Sequence, residues 1–237
     1  MKNLKNWDKN NWLSSDEYIS SLTRFLKKQI NFNKKIKILD IGCGRGKIIS
    51  ALSKKYRMSN LPLGIDVVKH KDNANRIRFT QVNALKYLSK TKEKFDVILF
   101  KQSIHFFKLL EIKKILKFSK KNLTSKGKIL ILVLDPRDNC WPLFKVFKFR
   151  LIKSMNKDKI ILNLIKFIFT KYKINYFAFK VKMTREIYIQ MIKNRFNSCL
   201  LNLSSKEIKI GIEEIKKKYK KKFTFSDKLI CISYKKK

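Results

Sequence analysis

Cysteine, histidine, acids and long apolar runs are all scarce in this chain of 237 residues. The four cysteines, at 43, 140, 199 and 231, form no CxxC pair and have no partnering histidine, so neither a zinc site nor a disulfide framework is expected. The N-terminal stretch MKNLKNWDKNNW has no apolar core segment, which argues against a signal peptide. The longest apolar runs, 129–134 and 160–169, are too short or carry Lys, so no membrane span is expected. These absences point to a protein without a metal in a reducing, cytoplasmic setting.

Acids are the other shortage: 17 Asp and Glu stand against 58 Lys and Arg, a formal charge of +41. Such a charge suggests nucleic acid or an anionic surface as partner. Only nine of the bases are Arg, however, and the lysines are scattered along the chain beside many Ile and Asn, as an AT-rich coding bias would leave them. Both readings stay open, with the run IKKKYKKK (215–222) as one basic segment. Hydrophobic residues make up 44% and aromatics 12%, which suits a folded chain rather than a disordered one. The length fits one well-filled domain with an appended piece.

Three of the six glycines fall within five residues, in KILDIGCGRG (37–46). Before them, Ser14-Ser15-Asp16-Glu17 reads as a helix start, with hydroxyls and acids placed to meet free N–H groups. Apolar runs at 36–41, 61–67, 76–82, 95–101 and 128–134 read as buried strands, with helical periodicity at 47–56 and 108–121. This alternation predicts an α/β fold: a doubly wound, Rossmann-like, mostly parallel sheet. Residues 135–142 are loop chemistry with two prolines, and 143–172 reads as an aromatic, basic helix. A strand over 176–183, helices over 184–203 and 206–219, and a last strand over 228–234 would complete seven strands with a helical insertion near the C-terminus. The expected division is an N-terminal helical cap (1–35), a ligand-binding core (36–134), an aromatic lid (135–203) and a closing helix and strand (204–237).

The turn Gly42-x-Gly44-x-Gly46 is one residue tighter than the GxGxxG of dinucleotide enzymes. Glycine lets the chain turn sharply and lets a ligand approach the backbone. The next helix offers N–H groups to a carboxylate or phosphate. Asp40 before the turn can meet an ammonium group, and Asp66 at the next strand end can accept from vicinal ribose hydroxyls. Asn83-Ala84 can place an amide against an adenine edge. Amino acid, ribose and adenine together describe S-adenosylmethionine, with S-adenosylhomocysteine as product.

The segments ILDIGCGRG (38–46), LGIDVV (63–68), FTQVNALKYL (79–88), FDVILFKQSIHFF (95–107) and GKILIL (127–132) resemble the class I S-adenosylmethionine-dependent methyltransferases. The family pattern often has Asp where this chain has Asn83. The resemblance implies a cofactor site formed by Asp40, Gly42, Cys43, Gly44, Gly46, Asp66, Val67, Asn83, Ala84, Lys101 and Gln102. Residues 191–204, 207–215 and 225–234 are loosely similar to methyltransferases of small carboxylic acids such as trans-aconitate. The implied activity is in-line methyl transfer to a small carboxylate or hydroxyl acceptor. An RNA methyltransferase using the basic surface and a non-catalytic domain retaining the fold are the alternatives. His105, one of two histidines, follows the fourth strand and is the candidate for catalysis or substrate contact. Arg195 is the candidate for pairing with a substrate carboxylate, and Trp12, near Tyr18, for closing over the site. His70 receives no role.

Overall fold

The structure, a computed structural model, describes residues 11–135 and 141–236. Most of the expected loop over 135–142 therefore lies outside the described residues. The Ile, Leu and Val runs assemble into one seven-stranded sheet of order β3-β2-β1-β4-β5-β7-β6. β1 (Ile38–Ile41), β2 (Leu63–Asp66), β3 (Arg78–Gln81), β4 (Phe95–Lys101) and β5 (Leu123–Leu134) pair in parallel. β7 (Lys222–Lys235) runs antiparallel between β5 and β6 (Tyr172–Thr184). Strand succession reverses between β1 and β4, where an open α/β sheet leaves a crevice beyond the carboxyl ends.

Side-chain alternation along the central strands feeds two cores. Leu39, Ile41, Ile98, Phe100, Ile129 and Ile131 face one side with α3 (Ala84–Lys90) and α4 (Leu109–Lys121). Ile38, Val97, Leu99, Leu130 and Leu132 face the other, under α1 (Asp16–Gln29), α2 (Lys47–Lys55), α6 (Arg185–Lys193) and α7 (Ser205–Lys218). Each fully buried Leu or Ile contributes about 1.5–3 kcal/mol relative to exposure, so burial on both faces makes the central strands the anchor of the fold.

The long helix α5 (Lys145–Ile168) belongs to both cores. Its Phe147 and Leu151 pack with α1 and α7, whereas its Ile161, Leu162 and Ile165 pack with α4. The helix therefore passes from one face of the sheet to the other. Among the described residues no helix is long and apolar enough to cross a membrane.

The helix start at 14–17 is as read: the Ser15 side chain accepts from the Tyr18 N–H, with Asp16 and Glu17 in the first turn. Elsewhere the structure differs from expectation. Helix α3 has no counterpart in the sequence reading. The helix expected over 184–203 stops at Lys193, and Arg195 follows with a positive φ of 52°. β7 begins at Lys222 rather than 228, because residues 222–227 pair with β6 alone, beyond the reach of β5.

Candidate active site

β1 turns into α2 through three glycines at φ of 72°, 54° and 70°. A Cβ at Gly42 would lie 2.4 Å from the Cβ of Ser103, so the turn packs directly against the segment after β4. At Gly44 nothing lies within 4 Å, which leaves one side of the backbone open. The Asp66 carboxylate accepts the Gly44 and Val68 N–H groups and so ties the end of β2 to the turn.

These elements enclose a cavity of about 210 Å³. Of the residues expected at the cofactor site, Asp40, Gly42, Cys43, Gly44 and Asp66 line it from the β1 and β2 ends. Val67, Ala84, Lys101 and Gln102 line it from the other sides. Asp40 is 3% exposed and its Oδ1 has no hydrogen-bond partner. Burial pushes its carboxyl from 3.8 up to about 7, with nearby Lys101 opposing and Asp66 adding to the rise. Burial likewise raises the Cys43 thiol and keeps it uncharged, which leaves it a packing residue rather than a nucleophile.

Two expected residues do not line the cavity. Gly46 is the N-cap of α2, and a Cβ there would meet Ile77 at 2.4 Å. Asn83 caps α3: its Oδ1 accepts from the N–H groups of Leu85 and Lys86. The oxygen read as a contact for the adenine amino group is thus already committed to the helix, and Val82 and Ala84 face the cavity instead. His70, which had no assigned role, lines the cavity at 9% exposure. Arg45 also lines it, 3% exposed, with Nε donating to the Asp72 carboxylate at 2.9 Å.

A smaller cavity of about 60 Å³ adjoins the first, and Leu13, Gln102 and Phe106 line both. Gln102 holds a left-handed φ of 52°, a strained backbone at the junction. His105 lies in the smaller cavity. Burial, and secondarily the charge of Lys157, lowers its imidazole from 6.5 to about 4, so the ring is neutral near pH 7. Ser154 and Asp158 of α5 line the same space. Asp158 was not singled out from the sequence, although it is the lone acid of a basic helix.

Two expected substrate residues lie elsewhere. Trp12 is buried against Trp141, Phe196 and Phe225 and lines neither cavity; its neighbour Leu13 lines both. Arg195 turns inward to its own loop, where Nη1 donates to the carbonyls of Leu200 and Leu201. Its guanidinium fixes the corner after α6, and Arg195 lines neither cavity.

Beneath the cavities, Asp227 of β7 is fully buried. Burial raises its carboxyl, while Lys101 and the polar groups of Trp12, Tyr18 and Trp141 oppose the rise. Those groups are near enough to stabilise the charge, yet neither carboxylate oxygen meets hydrogen-bond geometry. The Lys101 ammonium sits 5.2 Å from the Tyr18 ring centre. The charge of Lys101 thus acts on two buried acids, Asp40 and Asp227. Among the described residues no cluster of His, Cys, Asp and Glu could hold a metal ion.

The larger cavity fits S-adenosylmethionine on its own terms: a buried acid with one oxygen lacking a hydrogen-bond partner for the ammonium, an open glycine backbone, and a strand-end acid beside them. A family model described as a methyltransferase domain matches residues 13–176, more than half of the chain. Comparison with curated protein sequences gives no match. Among solved structures, a SAM-dependent methyltransferase from Archaeoglobus fulgidus superposes with a TM-score of 0.55 at 17% identity, over 92% of this chain and 94% of that one. The plantazolicin methyltransferase BpumL gives 0.56 at 18% identity, over 98% and 88%. A SAM-dependent methyltransferase from Geobacter sulfurreducens, solved with S-adenosyl-L-homocysteine, gives 0.54 at 13% identity, over 92% and 90%. With sheet order, glycine turn and family model in agreement, the chain belongs to the methyltransferase-domain family and is a class I S-adenosylmethionine-dependent enzyme.

Proposed function

We propose that the protein transfers a methyl group to a small molecule, with the donor in the larger cavity and the acceptor in the smaller one. The observation that carries this reading is the shared wall of Leu13, Gln102 and Phe106 at the carboxyl end of β4. In this reading Asp40 receives the donor's ammonium, and the open backbone at Gly44 and the start of α2 receive its carboxylate. Asp66 takes the ribose hydroxyls, and Val67, Val82 and Ala84 flank the adenine. S-adenosylmethionine supplies a methyl already activated on a sulfonium. The chain's part is alignment and exclusion of water, and such positioning can lower a barrier by about 7–11 kcal/mol.

The core over 36–134 then holds the donor, α5 and residues 196–201 roof the acceptor, Leu13 stands where the two cavities meet, and β6 and β7 complete the sheet. Cys43, Cys199 and Cys231 are free thiols, which suits a reducing, cytoplasmic setting. BpumL has been solved with a desmethylPZN analogue and SAH, and that neighbour supports a small-molecule acceptor. The carboxylate acceptor suggested by the likeness of 191–234 to trans-aconitate-type enzymes loses Arg195 as its partner.

The test is turnover of S-adenosylmethionine over fractionated small-molecule pools, followed by mass identification of a product heavier by one CH2. No turnover from a chain that binds S-adenosylhomocysteine would leave only a binding domain. The charge of +41 favours RNA as a second acceptor class. RNA affinity that falls steeply with salt and survives at physiological ionic strength would establish it, and negligible affinity there would end it.

A further inference from the structure

The polar side chains lining the smaller cavity are Gln102, His105, Ser154, Asp158, Asn197 and Ser198. Asp158 is 6% exposed, and its Oδ1 has no hydrogen-bond partner. It sits where α5 passes between the two cores, after Phe147 and Leu151 and before Ile161 and Ile165, so the helix is held on both sides of it. Burial raises its carboxyl to about 6, with Lys157 opposing.

The cations nearby are engaged elsewhere. The Lys157 ammonium donates to the His105 carbonyl at 3.3 Å, Arg150 pairs with Glu207 at 3.9 Å, and Arg195 serves Leu200 and Leu201. Among the described residues, no Lys or Arg lines this cavity. An anionic acceptor would meet a buried acid and no lining Lys or Arg, with Lys157 the one cation acting on His105 and Asp158, its ammonium held on the His105 carbonyl. A cation with N–H donors would supply the partner that Asp158 Oδ1 lacks.

We propose that the acceptor is a small amine, held as its ammonium by Asp158 and methylated at nitrogen. The proposal rests on the reading that the methyl donor fills the larger cavity. The ammonium first loses a proton to solvent, leaving a nitrogen lone pair. The neutral His105 imidazole accepts a hydrogen bond from a remaining N–H and turns that lone pair toward the methyl group. The N–C bond forms as the C–S bond breaks, the electron pair stays with sulfur, and S-adenosylhomocysteine leaves. Positive charge thus moves from sulfur to nitrogen, and a fixed carboxylate at the receiving end stabilises it where it grows. For a carboxylate acceptor the two charges cancel instead, and Asp158 would have no growing charge to stabilise.

Two measurements test this. The first follows fluorescence of Trp141, which lines the cavity, during titration with isobutylamine and with isobutyrate, with and without S-adenosylhomocysteine. A saturable response to isobutylamine that weakens more than about tenfold in Asp158→Asn, the loss of one charge-assisted contact, supports the proposal. Equal or better binding of isobutyrate, no response to the amine, or an Asp158→Asn variant that responds as wild type overturns it. The second supplies methyl-labelled S-adenosylmethionine with a cell extract separated by ion exchange. Label in the cation-retained fraction, lost in Asp158→Asn while S-adenosylhomocysteine affinity is unchanged, supports the proposal; label elsewhere, or none from a chain that binds S-adenosylhomocysteine, overturns it. Absence of S-adenosylhomocysteine binding in calorimetry would remove the methyl-transfer reading alone, since the fluorescence arm without cofactor still reads the amine site.

Discussion

The backbone N–H of Gly44 donates to Oδ2 of Asp66 at 2.8 Å, linking the glycine turn to the end of the neighbouring strand. Oδ1 is engaged in the same way by the Val68 N–H at 3.0 Å. Both oxygens retain acceptor capacity on the cavity side, so one carboxylate both shapes the turn and presents itself to a diol. Asp66→Ala removes both functions and is expected to weaken S-adenosylhomocysteine binding by well over tenfold, since charge-assisted contacts contribute about 1.5–3 kcal/mol each. Asp66→Asn keeps one oxygen and should fall between the two in calorimetry.

The glycines of the turn are not equivalent. Gly42→Ala places a methyl 2.4 Å from Ser103 in a left-handed backbone, whereas Gly44→Ala meets open space and bears only the conformational strain. Left-handed backbone costs a non-glycine residue roughly 1–2 kcal/mol, so Gly44→Ala should lower the melting temperature slightly. Gly42→Ala adds a clash with Ser103 and should destabilise the fold clearly more. Equal melting temperatures for the two variants would contradict the packing of the turn against Ser103.

Asp40 gives the protein a pH signature. Its carboxyl titrates at about 7 in the folded chain against 3.8 ordinarily, so between those values the folded state binds more protons than the unfolded one. Its contribution to stability is therefore fully present below about 4 and is lost as pH rises to about 7. Asp40→Asn should flatten that part of the stability profile relative to wild type. A ligand ammonium beside Asp40 favours its charged form, so S-adenosylhomocysteine binding near pH 6–7 should release protons. Calorimetry in buffers of different ionisation enthalpy reads this directly, and the release should vanish in Asp40→Asn.

Arg195 separates structure from binding. Its guanidinium holds two carbonyls of the turn after α6, at a residue with positive φ. Arg195→Ala should cost about 1.5–3 kcal/mol of stability, as for hydrogen bonds to a charged group, and leave S-adenosylhomocysteine affinity unchanged. A loss of acceptor turnover without a loss of stability would restore the carboxylate-clamp reading.

The central strands were legible because both faces are buried and their runs are unbroken. In the outer hairpin the alternation over 176–183 was legible as a strand, but 222–227 was not, because it pairs with β6 alone and has no second neighbour to demand an apolar run. Helix α3 is seven residues long, and its capping Asn83 was read as a ligand contact because an amide beside a strand end suits either role. Asp40 and Asp66 could be read from spacing alone. Trp12 misled because residue type does not disclose direction: the indole points into the core while the unremarked Leu13 faces both cavities. Asp158 was visible as an oddity of composition, but its place depends on how α5 passes across the sheet, which no local pattern reports.

Strand β6 pairs with β7 alone and closes the sheet with an edge whose exposed residues include Lys173, Lys180 and Lys182. An open edge is a template for a further strand, and like charges along it oppose the approach of a second copy. These three lysines would then have a colloidal use that needs no nucleic-acid partner. It also makes the chain sensitive to polyanions in a non-enzymatic way: neutralising these lysines removes the repulsion that keeps one β6 edge from adding to another, so polyanions would drive self-association of the sheet edges.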